Sequence, residues 1–229
     1  MKNLPSLAEK TPKAQRTKEH ILDTALGLFA TKGYAETTLR DIAREAQVSL
    51  GLTYRYYARK EDLLLALYER LTTECAAQVR MLPKGPMGQR FAGALNETLD
   101  LLQPYREALS SLFAVGLTAN SEMAVLGDRA SGVRAGMWEL YRGVVAGASD
   151  APKGKQCEQI STLLYSGHLL VILFWMQDRS EEQAKTRDLI KFAGRMLQRV
   201  RPFLGLRMVA TPLAQLNQIL LPMFGPTVS

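Results

Sequence analysis

Apolar residues recur three and four positions apart along almost the whole of this 229-residue chain, and no stretch alternates β-branched and polar residues between hairpin turns. That periodicity restricts the chain to an all-α fold. Ile21, Leu22, Ala25, Leu26 and Phe29 make the first apolar stripe, on a helix that Thr11 can cap, with Pro12 in its first turn and Gly33 at its end. Thr38 followed by Asp41 fits a capping box, and Leu39, Ile42, Ala43 and Ala46 then describe an amphipathic helix of about two turns. Ser49 can cap a second short helix reaching Tyr56, and a fourth runs from about Glu61 to Met81.

The sequence Pro83-Lys84-Gly85-Pro86 removes backbone donors and breaks the helical run. Beyond it the pattern predicts helices at about 88–102, 104–119, 121–147, 154–177 and 181–203, stopped by Pro202. A last short amphipathic helix carries Leu213, Leu216, Leu220 and Leu221 before Pro222. We divide the chain into an N-terminal domain at 1–60, with a flexible arm at 1–12, and a larger domain at 61–229. With 47% hydrophobic residues there is ample material for a core, and disorder of the whole is excluded.

Several function classes drop out at this stage. Cys75, Cys157, His20 and His168 lie too far apart for a disulfide framework or a structural zinc site, and no metal or cofactor is expected. A Gly-x-Ser-x-Gly elbow, a phosphate-binding glycine loop and clustered carboxylates are all lacking, so no enzyme is expected. The longest apolar run, Leu169–Met176, has eight residues, well below the roughly 20 that span a bilayer. The N-terminus lacks the apolar stretch of a secretory signal. We expect a cytoplasmic protein with no membrane partner.

Charge points to a polyanion. The chain carries +7 overall, and residues 10–60 hold ten Lys and Arg against five acids, a net +5. The excess coincides with residues 37–60, where two short helices joined by a tight turn have the form of a helix-turn-helix, whose second helix enters the major groove. The same basic residues also fit an ordinary solvated face.

Residues 17–67 resemble the TetR family of bacterial transcriptional regulators without a gap. The resemblance is carried by Ile21-Leu22-Asp23-Thr24-Ala25, Phe29, Gly33-Tyr34, Thr37-Thr38-Leu39-Arg40-Asp41-Ile42-Ala43, Val48-Ser49, Tyr54-Arg55-Tyr56-Tyr57 and Lys60-Glu61-Asp62-Leu63-Leu64. It implies that Thr37, Thr38 and Arg40 lie at the amino end of the bracing helix, where they can hold a phosphate or reach a base edge. Ser49 would cap the recognition helix, Gly51 would let the backbone approach DNA, and Leu50 and Leu52 would meet thymine methyl groups. Tyr54, Arg55, Tyr56 and Lys60 complete the expected DNA-binding set. Two positions depart from the family pattern: Gln47 stands where glycine is common, and Leu50 where a polar or basic residue is frequent.

Residues 160–176 are apolar nearly all round, more than one core face needs. With the helix at 181–203 they resemble the pair of helices through which the family dimerises, so a homodimer on a palindromic double-stranded operator is expected, with a repressor released by a small apolar or amphipathic effector. A transcriptional activator of the same fold, or a non-specific architectural DNA binder, is the alternative. Candidate effector contacts are Phe113, Met137, Trp138, Tyr141, Tyr165 and His168, residue types that at such spacing are more often plain core than ligand contacts.

Overall fold

The computed structural model describes residues 12–110 and 128–224. Among them are nine α-helices: α1 (Pro12–Lys32), α2 (Leu39–Glu45), α3 (Leu50–Tyr56), α4 (Lys60–Met81), α5 (Met87–Leu102), α6 (Ser131–Ala146), α7 (Lys155–Gln177), α8 (Ala184–Val200) and α9 (Arg207–Phe224). The described residues contain no β-strand. The cap at Thr11, the arm at 1–12 save for Pro12, Phe113 and the expected helical stretches at 111–119 and 121–127 lie outside the described residues.

Contacts gather the described residues into two units. The first comprises residues up to Tyr68 together with 105–110, and the second comprises 69–104 with the remainder. The first two turns of α4 therefore pack with the N-terminal helices, although the sequence places the boundary at residue 60.

In the first unit the apolar stripe of α1 (Ile21, Leu22, Ala25, Leu26, Phe29) is buried with Leu39, Ile42 and Ala43 of α2 and Leu63, Leu64 and Leu67 of α4. Apolar burial of this kind contributes roughly 1.5–3 kcal/mol per large side chain and fixes which faces of α2 and α3 remain outside.

In the second unit α5 packs on α8, α6 on α7, and α9 on α7. Arg90 of α5 is buried, donating to the carbonyl oxygens of Leu82 and Pro83 at 2.9 Å and of Val144 at 3.1 Å, and so ties the loop after α4 to the end of α6. The turn between α7 and α8 is held by Asp178. Its carboxylate accepts from the amide and hydroxyl of Ser180 at 2.9 and 2.6 Å, and from those of Thr186 at 2.8 and 2.6 Å. These hydrogen bonds, those from Ser180 first, hold the carboxyl well below the usual carboxylate range.

Two expectations are corrected here. The last helix spans Arg207–Phe224 and runs through Pro212 and Pro222 instead of stopping before the latter. A proline removes one intrahelical donor, and the resulting weak point is offset by packing, with Leu213 buried and Phe224 meeting Tyr165 edge-on at 6.1 Å. The second concerns membrane-crossing length. At 23 residues, with an 18-residue window of mean hydropathy 1.4, α7 meets that criterion by length and composition, because Gly, Ser and His interrupt the apolar run without ending the helix. Half of that window is buried within the protein.

Candidate functional site

The geometry around α2 and α3 is set by local hydrogen bonds. Thr38 caps α2: its hydroxyl accepts from the Asp41 amide at 3.1 Å, while the Asp41 carboxylate accepts from the Thr38 amide at 3.1 Å, closing a capping box. Asp41 also pairs with Lys32 at 2.8 Å and Arg44 at 3.0 Å. The hydrogen bond from Lys32, followed by those from Thr38, holds its carboxyl far below the ordinary range.

The helix ends in a Schellman motif. Val48 donates to the Ala43 carbonyl at 3.0 Å, Gln47 donates to that of Arg44 at 3.2 Å, and Gln47 takes the left-handed conformation at φ 54°. Ser49 then caps α3, accepting from the Leu52 amide at 3.1 Å.

The inward side of α3 is bolted to its own unit. Thr53 is fully buried, and its hydroxyl donates to the Ser49 carbonyl at 3.3 Å. Tyr57 reaches the Lys18 carbonyl on α1 at 3.3 Å, and His20 donates to the Ala46 carbonyl at 3.1 Å. Thr53, Tyr57 and His20 were missed by the sequence reading. The four-residue spacing of Thr53 and Tyr57 on the inner face of α3 is the signal that could have found the first two.

The outward side carries most of the expected contact residues. Arg40, Ser49, Gly51, Tyr54 and Arg55 are exposed, Thr38 is exposed at the start of α2, and Leu50, Leu52 and Tyr56 are partly so. A Cβ added at Gly51 would meet nothing within 4 Å, so the surface there is open to close approach.

Two expected contacts point elsewhere. Thr37 is completely buried, its hydroxyl donating to the Gly33 carbonyl at 2.7 Å, so it locks the α1–α2 turn and faces no ligand. Lys60 is folded back as well. Its ammonium donates to the carbonyls of Tyr34 at 2.7 Å and Ala35 at 3.2 Å and lies 4.5 Å from the centre of the Tyr34 ring. Both turn inward because the α1–α2 turn presents carbonyl groups with no helical donor.

In the second unit the described effector candidates come together. Met137, Trp138 and Tyr141 of α6 and Tyr165 and His168 of α7 are all buried. The rings of Tyr141 and Tyr165 stack at 6.3 Å, that of His168 lies 5.4 Å from Tyr141 and 6.2 Å from Tyr165, and Trp138 donates to the Thr162 hydroxyl at 3.1 Å. Phe91 of α5 meets Tyr141 edge-on at 5.9 Å.

The same unit leaves apolar groups outside. Leu170 is 68% exposed and Phe174 44% on α7, and Phe192 is 52% and Met196 37% on α8. Each pair is four residues apart, so each helix carries a stripe and not scattered exceptions.

Comparison with known proteins agrees with this arrangement. Residues 21–67 match the profile of bacterial regulatory proteins of the tetR family, and residues 90–202 match that of the tetracyclin repressor-like C-terminal domain. The HTH-type transcriptional regulator AcrR of Shigella flexneri is 42% identical over 64 residues, which is 28% of this chain and 30% of AcrR, so the chain spans less than a third of that curated relative. Two solved structures share the fold. A tetR-family transcriptional regulator from Streptomyces coelicolor superimposes with a TM-score of 0.60 at 18% identity, covering 91% of this chain and 90% of that one. The TetR transcriptional regulator of Nitrosomonas europaea does so with 0.58 at 23% identity, covering 79% and 97% respectively. The chain belongs to the TetR family of bacterial regulatory proteins, which are transcriptional regulators and not enzymes.

Proposed function

We propose that the protein is a homodimeric repressor that grips a palindromic operator through α2 and α3 and lets go when a small effector occupies the interior of its second unit. In this reading residues 1–60 hold the DNA contacts, and 61–229 hold effector binding and dimerisation. The observation that carries it is the pair of caps, Thr38 and Ser49, with the Schellman turn between them, which leaves Arg40, Gly51, Tyr54 and Arg55 outward on one short span.

Each helix-turn-helix would cover one half-site, so two copies must present their recognition helices about 34–36 Å apart or a multiple of a helical turn. The exposed stripes Leu170–Phe174 and Phe192–Met196 supply an apolar surface for that second copy. The interior ring cluster of α6 and α7 supplies an effector site, apolar with a few polar tips. Release requires an effector that binds the released form better, and about a hundredfold preference is worth roughly 2.7 kcal/mol.

Selection of genomic fragments by the purified protein, followed by footprinting and mass measurement, tests the reading. A discrete palindrome bound by a dimer is the expected result, with log K falling against log salt at a slope of roughly −5 if six phosphates are contacted. A monomer that ignores every duplex at low salt overturns it.

A further inference from the structure

A cleft of about 460 Å³ opens between the second half of α4 and α6, wholly within the second unit, and shares no residue with the ring cluster of α6 and α7. Small-molecule sites occupy about 300–1,000 Å³, so the space is large enough for one. At one end the two helices are pressed together: a Cβ added to Gly136 would lie 3.0 Å from Cγ2 of Thr72. Two turns on there is room, and a Cβ added to Gly143 would meet nothing within 4 Å. The walls are low because they are built from Ala76 and Ala77 of α4 with Gly136 and Gly143 of α6, while Val79 and Leu140 add larger apolar side chains.

The lining also holds a buried cation. Arg90 of α5 directs four of its five N–H groups to main-chain carbonyls: Nε to Val144, Nη1 to Leu82 and Pro83, and Nη2 to Gly143 at 3.4 Å, the longest of the four. None of these partners is a carboxylate, and one N–H on Nη2 has no acceptor among the described residues. Gly147 makes room for that nitrogen, since a Cβ there would lie 2.6 Å from Nη2. A buried charge met by carbonyl dipoles alone recovers less of its desolvation cost than one met by an anion. Arg80 and Arg142 stand on the same lining, both exposed, and its one acid, Glu139, is paired with Arg142 at 2.8 Å. Three arginines against one glutamate leave the lining with an excess of two positive charges.

We propose that this cleft binds a small organic anion, a carboxylate or phosphate monoester whose charged group accepts from Arg90 Nη2 and from Arg80 and whose flat apolar body lies between Ala77 and Gly143 beside Val79 and Leu140. The site goes beyond the effector reading of the ring cluster and stands independently of it. Charge-assisted hydrogen bonds from guanidinium favour an anion over a neutral hydroxyl in the same place. An ammonium head group is repelled by the positive excess and finds Glu139 already engaged.

Naphthoate, naphthyl phosphate, naphthylmethanol and naphthylmethylamine share one flat body and differ in the head group. Equilibrium dialysis of the full chain should show the tighter of the two anions bound at least roughly tenfold better than the alcohol, with the amine weakest, and which anion leads tells carboxylate from phosphate. Arg80→Gln, at an exposed position, should bring the anion-to-alcohol ratio below about three, whereas Lys185→Gln, which removes the same charge from the surface of α8, should leave the ratio as it was. Gly143→Leu places a side chain in the open space of the cleft and should abolish saturable binding with helical content unchanged. Ala77→Leu, exposed on the α4 wall, serves the same end if Gly143→Leu fails to fold. Equal affinity for anion and alcohol, or a ratio that Arg80→Gln moves no further than Lys185→Gln does, overturns the assigned class. Binding that survives a folded cleft-filling variant, or no saturable binding of any of the four probes, overturns the site.

Discussion

Gly88 of α5 and Gly194 of α8 meet backbone against backbone: a Cβ added to Gly194 would lie 2.8 Å from the Gly88 carbonyl oxygen, and one added to Gly88 would fall on the carbonyl oxygen of Gly194. Backbone cannot yield as a side-chain end can, so alanine at either position forces the two helices apart. Overpacking of this kind costs about 1–3 kcal/mol. In a protein of this size that lowers the melting temperature by roughly 2–4 °C per kcal/mol. Calorimetry of Gly88→Ala and Gly194→Ala should show the loss, and wild-type melting in both would mean that the helices do not cross this closely.

Gln47 offers the opposite case. Its φ of 54° places an L side chain in the left-handed region at the end of α2, where glycine is the residue without strain. Gln47→Gly should therefore stabilise the first unit by about 1 kcal/mol, read as a higher thermal midpoint. A lower midpoint would show that the Gln47 side chain makes a contact worth more than the strain.

What could be read in the sequence divides along a physical line. The capping box of Thr38 and Asp41 and the cap at Ser49 are made by residues within a few positions of one another, and short-range spacing specifies them. Lys60 is different. Its partners, the carbonyls of Tyr34 and Ala35, lie 26 and 25 positions away, and nothing in the local pattern distinguishes an ammonium aimed at phosphate from one aimed at a turn. Thr37 was misread for a related reason: a hydroxyl next to a cap serves equally well on the outside or as an inward lock, and tertiary burial decides. Asp178 belongs with these: its role as the acceptor of both Ser180 and Thr186 depends on the path of the backbone between α7 and α8.

The buried imidazole of His168 makes stability depend on pH. Its pKa in the folded protein is about 3, against about 6.5 unfolded, so between those values the unfolded chain binds a proton that the native state refuses. Stability is therefore complete above about pH 6.5 and falls with pH below it, by up to about 1.4 kcal/mol per unit. Tyr165, which flanks the ring, stays neutral throughout this window, and the carboxyls of Asp41 and Asp178, both lowered in the folded protein, begin to matter only below about pH 4. Denaturant unfolding at pH 7, 6 and 5 should show a slope in the wild type that His168→Phe flattens; parallel curves would contradict the burial of an unpartnered ring.

Tyr54 and Tyr56 lie two residues apart in the last turn of α3, the former 52% exposed and the latter partly exposed. In the proposed complex their hydroxyls reach phosphate oxygens while the rings pack. Tyr54→Phe with Tyr56→Phe removes two hydrogen bonds per protomer, four per dimer, at about 1 kcal/mol each, so operator affinity of the dimer should fall roughly a thousandfold with the dimer mass unchanged. Unchanged affinity would take both hydroxyls off the contact surface.

The dimer itself is tested at residues that do nothing for the fold of one copy. Leu170 and Phe192 are 68% and 52% exposed, so replacing either by glutamate leaves the core of the protomer intact. If a second copy covers them, each substitution buries an unpaired carboxylate on both sides of the interface, which the association cannot tolerate. Leu170→Glu with Phe192→Glu should weaken self-association by at least about a hundredfold, near 2.7 kcal/mol, while leaving helical content as it was. Sedimentation should then report half the wild-type mass, and operator binding should collapse to the weak, salt-sensitive level of a single helix-turn-helix. A double variant that remains a dimer would place the interface on another face of α7 and α8, and one that becomes a monomer yet keeps full operator affinity would break the link between pairing and recognition.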